Sequence, residues 1–274
     1  MREGQQSGLM PANSKAPLAG QHAVITGGGR GIGAAIAETL ARLGACVSLV
    51  GRNAAVLEDA KNRIVTEHGV KVATASADVT DEAAVHKALA SLRSALGVPT
   101  ILVNNAGVAV SAPFLKSDAA FWRKVLDVDL MGAVYCTQAL LPAMLEANWG
   151  RIINIASVAG LAGSAYVTAY CAAKHAMIGL TRALALETAR TGVTVNAVCP
   201  GYTDTEMTAN SIATITQKTG RSREEVLATL LARNPQGRLI APAEVADAVA
   251  WLCGKGAASV TGQSVVLAGG ELMP

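Results

Sequence analysis

Aromatic and charged residues are both scarce in this sequence. Only 3% of the 274 residues are Phe, Trp or Tyr and 16% are charged, whereas 51% are hydrophobic. The interior must therefore consist of Ala, Val, Leu and Ile, small side chains that let helices pack closely on a sheet. The net charge of +3 is mild and no dense Lys/Arg patch occurs. We therefore expect no nucleic-acid partner.

Paired cysteines, long apolar runs and an apolar leader are also missing. The five cysteines stand singly without a CxxC pair, which favours a reducing compartment and argues against a metal site. No run of about 18 apolar residues occurs, so we expect no membrane-spanning helix and no membrane partner. Residues 1–19 are polar and contain Pro and Gly, which predicts a disordered N-terminal extension rather than a signal peptide. We therefore predict a cytoplasmic protein.

Short runs rich in Val and Ile alternate with longer Ala-rich segments of helical period. The strand candidates are 22–26, 46–50, 71–76, 100–104, 151–157, 194–199 and 264–269. The helix candidates are 31–43, 53–68, 81–95, 117–147, 168–190 and 242–253. This alternation predicts parallel strands joined by crossover helices that cover both faces of a sheet. We predict an α/β fold, a single doubly wound Rossmann-type domain over 20–274 with about seven strands and a ligand crevice at their carboxyl ends.

Residues 203–240 interrupt this alternation before the last helix. They predict one or two short helices, and Ser222 with Glu225 has the spacing of a capping box. Because the segment follows the carboxyl end of a strand, we predict that it is a substrate lid over the crevice. A packed helical hairpin without a gating role is the alternative.

The turn after the first strand, VITGGGRGIG, is rich in glycine and opens a helix. Such glycines let backbone N–H groups approach a pyrophosphate, which then lies at the helix N-terminus. A GxGxxA pattern from Gly29 to Ala34 fits less well than GxxxGxG from Gly27. The cofactor-binding candidates here are Gly27, Arg30, Gly31, Ile32 and Gly33. A plain tight turn is the alternative.

The end of the second strand carries a signal for cofactor preference. In dinucleotide folds a carboxylate about 20 residues after the glycines binds the ribose 2′-hydroxyl of NAD, whereas an arginine accommodates the 2′-phosphate of NADP. Here Gly51 takes the place of the carboxylate and Arg52 follows. Since a guanidinium can bind phosphate through two hydrogen bonds, we predict NADP(H) rather than NAD(H). The alternative is that Arg52 is a solvated loop residue.

Six short motifs, in order, resemble those of the short-chain dehydrogenase/reductases. They are TGGGRGIG (26–33), DVT (78–80), NNAG (104–107), IAS (155–157), YCAAK (170–174) and PGYTDT (200–205). The resemblance implies the catalytic residues Ser157, Tyr170 and Lys174. It also implies cofactor-binding roles for Asp78, Val79, Asn104, Asn105, Ala106, Gly107, Tyr170, Lys174, Pro200, Gly201, Thr203 and Thr205.

The chemistry of ketone reduction suits the catalytic residue types. Hydride transfer to a carbonyl leaves an alkoxide that needs a proton, and tyrosine can supply it if its pKa falls from about 10 toward neutrality. A cation about 4 Å away contributes about 4 kcal/mol at an effective dielectric near 20, enough for about three pKa units. Lys174 lies one helical turn after Tyr170, and Ser157 would bond the carbonyl oxygen. Tyr166 has no such lysine, so Tyr170 is the predicted acid.

Asp129 departs from the family pattern. Many members have asparagine there, in a VNLxG-like sequence, and it helps to hold a water in a proton relay to the lysine. This chain has VLDVDLMG. We keep Asp129 among the catalytic candidates because a carboxylate can also orient water. An anion near Lys174 would partly offset the field that acidifies Tyr170. A harmless substitution is the alternative.

The resemblance is strongest to 3-oxoacyl reductases and aromatic-polyketide ketoreductases, although Ala268 replaces the Asp of their DGG motif. It implies reduction of a 3-oxoacyl thioester on a carrier protein or coenzyme A, and a homotetramer. The alternatives are another alcohol or ketone substrate (a sugar, steroid or small diketone) and a non-catalytic cofactor-binding regulator. Four basic residues near the lid either meet a phosphopantetheine phosphate or form an ordinary solvated face. They are Lys218, Arg221, Arg223 and Arg233.

Overall fold

Seven parallel strands form the central sheet of the computed structural model, which describes residues 16–273. The strands are β1 (His22–Thr26), β2 (Cys46–Gly51), β3 (Val72–Ser76), β4 (Ile101–Asn104), β5 (Gly150–Ile155), β6 (Val193–Pro200) and β7 (Ser264–Leu267). Their order is β3-β2-β1-β4-β5-β6-β7. The strands β2 and β3 lie on one side of β1, and β4 to β7 lie on the other side. The carboxyl ends of β1 and β4 therefore border the crevice. The predicted fold class is confirmed.

Helices cover both faces of the sheet. They are α1 (Gly31–Arg42), α2 (Ala54–His68), α3 (Glu82–Leu96), α4 (Ala119–Leu126), α5 (Gly132–Glu146), α6 (Thr168–Glu187), α7 (Glu206–Thr219), α8 (Arg223–Leu231) and α9 (Pro242–Cys253). On one face α1 and α9 bury Ile36 and Val249, and on the other α3 and α5 bury Leu92 and Leu140. This two-sided burial explains why the strands are continuously apolar.

The single helix predicted over 117–147 is wrong in one respect. α4 ends at Leu126, and the chain makes a π turn over Asp127–Met131 before α5 begins at Gly132. A π turn adds one residue to a helical turn, which an apolar pattern of helical period does not reveal. Asp129 lies within it and is fully buried.

Within the described residues, one helical stretch has the length and composition of a membrane-crossing helix. It is Ala119–Glu146, which comprises α4, the π turn and α5. Leu140 and Met144 of this stretch are buried beneath the sheet, beside Leu89 of α3. We therefore interpret it as a core helix.

The predicted N-terminal extension is only partly described. Residues 1–15 lie outside the described residues. Leu18 is 2% exposed and belongs to the main core, and its N–H donates to the Leu43 carbonyl oxygen at 2.9 Å. The folded chain therefore begins before residue 20, the boundary that the composition predicted.

The predicted lid region contains α7 and α8. Ser222 and Glu225 form the expected capping box, with Glu225 N–H donating to Ser222 Oγ at 3.2 Å and Ser222 N–H donating to Glu225 Oε2 at 2.8 Å. Ile212 and Val226 form a small apolar core between the two helices. The gating role of this segment stays a prediction.

Candidate active site

The glycine-rich turn joins β1 to α1 at the carboxyl edge of the sheet. A Cβ on Gly33 would overlap the Gly27 carbonyl oxygen, so only glycine allows this approach. Arg30 caps α1 without a side-chain hydrogen bond, and the first turn, which contains Gly31 and Ile32, has no acidic residue. The N–H groups of this helix end are thus available to an anion, and the turn fits a dinucleotide pyrophosphate.

Thr26 and Asn105 hold this turn against the loop after β4. Thr26 Oγ1 accepts hydrogen bonds from the N–H groups of Asn105 (2.9 Å) and Ala106 (3.0 Å). Asn105 Nδ2 donates to the carbonyl oxygens of Thr26 (2.9 Å) and Gly27 (3.4 Å). The Asn105 amide therefore supports the cofactor site by bracing its turn. Thr26 was not predicted, although a polar residue ending an apolar strand is a usable signal.

Asn104, the last residue of β4, has its side chain inside the fold. Its Nδ2 donates to Asn154 Oδ1 at 2.9 Å and to Thr137 Oγ1 at 3.2 Å, and the residue is 3% exposed. It joins β4 to β5 and α5. The role at the cofactor site that the resemblance implied for Asn104 is therefore not a direct one.

Arg52 and Asp78 lie side by side after β2 and β3. Arg52 Nη1 is 4.0 Å from Asp78 Oδ2, and both side chains are exposed. Hydrogen bonds from the Thr80 N–H and hydroxyl hold Asp78 Oδ1, and the N–H bond is the main cause of a lowered Asp78 pKa. Val79, by contrast, is buried against Gly132 at the start of α5. Arg52 thus stands exposed just after β2, at the carboxyl edge of the sheet.

The segment after β6 runs across the mouth of the crevice. Thr205 caps α7, and its Cγ2 lies 3.5 Å from the ideal Cβ position of Gly31. Arg30 Nη1 pairs with Glu206 Oε2 at 2.7 Å. The first turn of the lid therefore faces the phosphate turn. Thr203 is 4% exposed, and its hydroxyl donates to the Gly201 carbonyl oxygen at 3.1 Å. Its side chain therefore stabilises the backbone of the segment after β6.

Ser157 follows β5 at the same edge of the sheet. Its Oγ accepts a hydrogen bond from the Ala159 N–H at 3.1 Å and lies 3.5 Å from the Pro200 carbonyl oxygen. The second distance is long for a hydroxyl donor. The Ser157 hydroxyl therefore makes only a long hydrogen bond to the Pro200 carbonyl oxygen and can turn to a substrate oxygen instead.

Tyr170 and Lys174 lie one turn apart on α6, as predicted from their spacing. Lys174 Nζ is 5.5 Å from the centroid of the Tyr170 ring and donates to the Ile155 carbonyl oxygen at 3.0 Å. Tyr166 is 66% exposed and has a left-handed backbone with φ of 66°. Its carbonyl oxygen accepts the Ala112 N–H at 2.8 Å, so Tyr166 contributes its backbone to the loop structure.

The pKa of Tyr170 lies above its ordinary value, not below it as the spacing alone led us to expect. Burial is the main cause of the raised pKa. Lys174 and a hydrogen bond with Ser157 lower the pKa, and the negative charge of Asp129 raises it further. The phenol is therefore protonated at neutral pH, which is the form that donates a proton.

Asp129 forms a buried ion pair with Lys174. Asp129 Oδ1 is 3.2 Å from Lys174 Nζ, and both carboxylate oxygens lie 3.3 Å from the Val108 N–H. Burial raises the pKa of Asp129, against the effect of Lys174. Burial lowers the pKa of Lys174, but Asp129 and Tyr170 outweigh it, so this pKa lies above its usual value. Asp129 also packs on Gly107, where a side chain would not fit.

A second group of polar side chains lies away from the crevice. Ligand atoms of Glu38, Glu67 and His68 lie within 4.8 Å of one another. They belong to α1 and to the end of α2, far from the carboxyl edge of the sheet. The expectation that the protein has no metal centre stays a prediction.

Known proteins share both the sequence and the architecture. Residues 21–216 match the family model described as short chain dehydrogenase. The chain is 36% identical over 253 residues to the 3-oxoacyl-acyl-carrier-protein reductase FabG of Aquifex aeolicus (strain VF5), covering 92% of this chain and 98% of that one. It is 37% identical over 254 residues to the D-beta-hydroxybutyrate dehydrogenase of Rhizobium meliloti (strain 1021), covering 90% and 97%.

A solved structure shares the architecture of this chain. The crystal structure of a variant of actinorhodin polyketide ketoreductase with NADPH has a TM-score of 0.88 and 37% sequence identity, covering 92% of this chain and 97% of that one. The phosphate turn, Ser157 and the Tyr170–Lys174 pair all lie within the residues that match the family model. The chain belongs to the short-chain dehydrogenase/reductase family, whose members bind a nicotinamide cofactor and interconvert alcohols and ketones.

Proposed function

We propose that this enzyme reduces a 3-oxoacyl thioester to the 3-hydroxyacyl thioester with NADPH. The observation that carries the proposal is the geometry of the partly buried Tyr170, whose ring centroid lies 5.5 Å from Lys174 Nζ on the same helix, with Ser157 at the same carboxyl edge of the sheet. Relatives named as a 3-oxoacyl reductase and a polyketide ketoreductase support the substrate class. The D-beta-hydroxybutyrate dehydrogenase supports a second candidate, a small keto acid.

The side chains divide the work of ketone reduction. When bound, the nicotinamide cofactor supplies the hydride that reaches the carbonyl carbon. Ser157 donates a hydrogen bond to the carbonyl oxygen, and Tyr170 gives its phenolic proton to that oxygen as negative charge develops there. The ammonium group of Lys174 stabilises the phenolate that remains.

The direct test is oxidation of NADPH by the purified enzyme with acetoacetyl-CoA. We expect the enzyme to turn over this thioester with a higher kcat/KM than a sugar, a steroid ketone or a small diketone. The preference should persist when acyl carrier protein replaces coenzyme A. Efficient reduction of one of the other ketones and none of the thioester would refute it.

Arg52 supports the proposal that the cofactor is NADP(H). Its guanidinium lies at the rim after β2, where Gly51 leaves out the carboxylate that would repel a phosphate. Arg52→Ala should raise KM for NADPH by about tenfold or more and leave KM for NADH nearly unchanged, because only NADPH has the 2′-phosphate. Arg63→Ala, an exposed site on the outer side of α2, is the control. Equal effects of Arg52→Ala on both cofactors would contradict the assignment.

We also propose a cytoplasmic homotetramer without nucleic-acid or membrane partners. Single cysteines, all free in the described chain, suit a reducing compartment. The tetramer would form through α5, α6 and the C-terminal strand. Exposed apolar residues on the two helices, Leu145 and Leu186, support this.

A further inference from the structure

Arg233 brings a guanidinium from the lid to the loop beside the candidate catalytic tyrosine. It lies two residues after the end of α8, and its Nη1 donates to Ser164 Oγ at 3.3 Å. Ser164 stands between Ser157 and Tyr170 in the chain. Its carbonyl oxygen lies 3.9 Å from the Sγ of Cys171, the residue after Tyr170. A cation here is placed to meet a negatively charged group on a substrate.

Glu271 already neutralises this guanidinium. Glu271 Oε1 is 2.8 Å from Arg233 Nε, and the Glu271 side chain is only 8% exposed. Its Oε2 lies 3.2 Å from the ideal Cβ position of Gly201, so the carboxylate also contacts the turn after β6. The Arg233–Glu271 ion pair therefore lies where the lid meets the loop that carries Ser164, and we refer to this pair and the adjoining Tyr202 as the wall.

Two glycines allow the C-terminal segment to reach this position. Gly269 and Gly270 have φ of 58° and 93°, a conformation that favours glycine. A Cβ on Gly269 would overlap the side chain of Asn234, and one on Gly270 would lie 3.3 Å from Pro235. Asn234 and Pro235 directly follow Arg233, so this close packing holds Glu271 against the arginine.

Tyr202 adds no charge to the wall at neutral pH. Burial raises the pKa of Tyr202, Arg233 opposes this effect and Glu271 adds to it. The phenol is therefore neutral at neutral pH. Tyr202 also packs on the apolar core of the lid. The wall thus contains one cation, one anion and one neutral phenol, and its cation contacts Ser164 of the loop.

We propose that Glu271 determines substrate specificity by neutralising Arg233, so that the enzyme selects neutral ketones such as 3-oxoacyl thioesters over 3-oxo acids with a free carboxylate. This inference rests on the proposed ketone reduction. A substrate carboxylate at this wall would compete with Glu271 for Arg233, and one of the two carboxylates would then lack its counter-ion. A buried charge without a counter-ion is strongly unfavourable. A thioester brings no charge to this wall.

The test compares acetoacetate with its N-acetylcysteamine thioester as substrates, using the full-length enzyme and NADPH. The wild type should favour the thioester by about 100-fold in kcat/KM. Glu271→Gln leaves Arg233 to the substrate, so KM for acetoacetate should fall about tenfold while KM for the thioester changes little. Asp247→Asn is the matched control, because it removes an exposed carboxylate paired with Arg42. The control should keep the wild-type ratio.

A double variant tests whether Arg233 is the responsible group. In Glu271→Gln combined with Arg233→Met the cation is absent, so the gain for acetoacetate should disappear. A gain that persists in the double variant overturns the proposal. So does an unchanged ratio in Glu271→Gln, or a wild type that uses acetoacetate as well as the thioester.

Binding separates this inference from the proposed reaction. Calorimetry of 3-hydroxybutyrate with the enzyme–NADPH complex measures binding without turnover, because a reduced cofactor cannot take a hydride from the alcohol, and Glu271→Gln should bind this anion more tightly than the wild type does. Equal affinities overturn the inference. If neither substrate is reduced but the affinities differ as expected, the proposed function fails and the specificity role of Glu271 stands.

Discussion

At the scale of single residues, burial is the largest influence on the pKa of Tyr170. Burial raises its pKa, and Lys174 only partly opposes this because the same ammonium group is paired with Asp129. The phenol is therefore protonated at neutral pH, but its raised pKa makes it a weaker acid than the spacing with Lys174 alone predicted. The reverse reaction, alcohol oxidation, needs the phenolate and is therefore favoured only at higher pH.

The Tyr170→Phe variant should lose activity because it removes the proton donor. We expect kcat to fall by about 10²–10⁴-fold, the usual contribution of a positioned acid. Cofactor affinity, measured by NADPH fluorescence, should stay close to that of the wild type. Tyr166→Phe is the matched control, since the Tyr166 side chain is exposed. Wild-type turnover in Tyr170→Phe would rule out this residue as the acid.

The Asp129→Asn variant should change the pH profile. The Asp129 charge raises the pKa of Tyr170, and ketone reduction needs the protonated phenol, so its rate falls as pH rises through that pKa. Removing the charge lowers the pKa, and the fall in kcat/KM should move to lower pH. In alcohol oxidation, which needs the phenolate, the rise should also begin at lower pH.

The control for this variant comes from the same π turn. Asp127 is exposed, two residues before Asp129, and Asp127→Asn should leave both profiles unchanged. Asp129 would have no positioning role if its replacement left the rate and both profiles as in the wild type. The test therefore separates an effect on titration from a general loss of stability, which would lower the rate at every pH.

At the scale of elements, the strand–turn–helix unit from β1 to α1 depends on close backbone approach. Gly33→Ala places a Cβ against the Gly27 carbonyl oxygen. The turn must then shift, so we expect weaker cofactor binding and a lower melting temperature. Gly256→Ala is the control, because a Cβ there meets open space. Unchanged affinity for NADPH in Gly33→Ala would contradict a pyrophosphate site at this turn.

Element patterns in the sequence predicted most boundaries to within three residues. The exception is the segment that joins α4 to α5. Apolar periodicity runs from α4 into α5 without a break, so the π turn at Asp127–Met131 was not predicted. Its effect is to bury Asp129 beneath the loop after β4. Propensity is local, whereas the choice between an α turn and a π turn here involves contacts to Val108 and Lys174.

At the scale of the whole molecule, the apolar faces of α5 and α6 predict assembly. Sedimentation should give a single species with the mass of a tetramer. Leu186→Glu should shift it to smaller species, because Leu186 is 80% exposed in the single chain and would be covered in the assembly. Glu146→Lys, a change on the exposed end of α5, tests whether any altered charge has this effect. A monomeric wild type would contradict the proposal.

The sequence by itself determined the alternating architecture, the phosphate turn and the Ser157, Tyr170 and Lys174 motifs. These depend on periodicity, on glycines and on i,i+4 spacing, which neighbouring residues encode. Only the tertiary structure decided which partners these groups meet. Asp129 lies 45 residues from Lys174 and Glu271 lies 38 from Arg233 along the chain, yet both pairs are in contact. Folding brings these charges together and buries Asp129, Lys174 and Glu271, and burial shifts the energies of the charged groups.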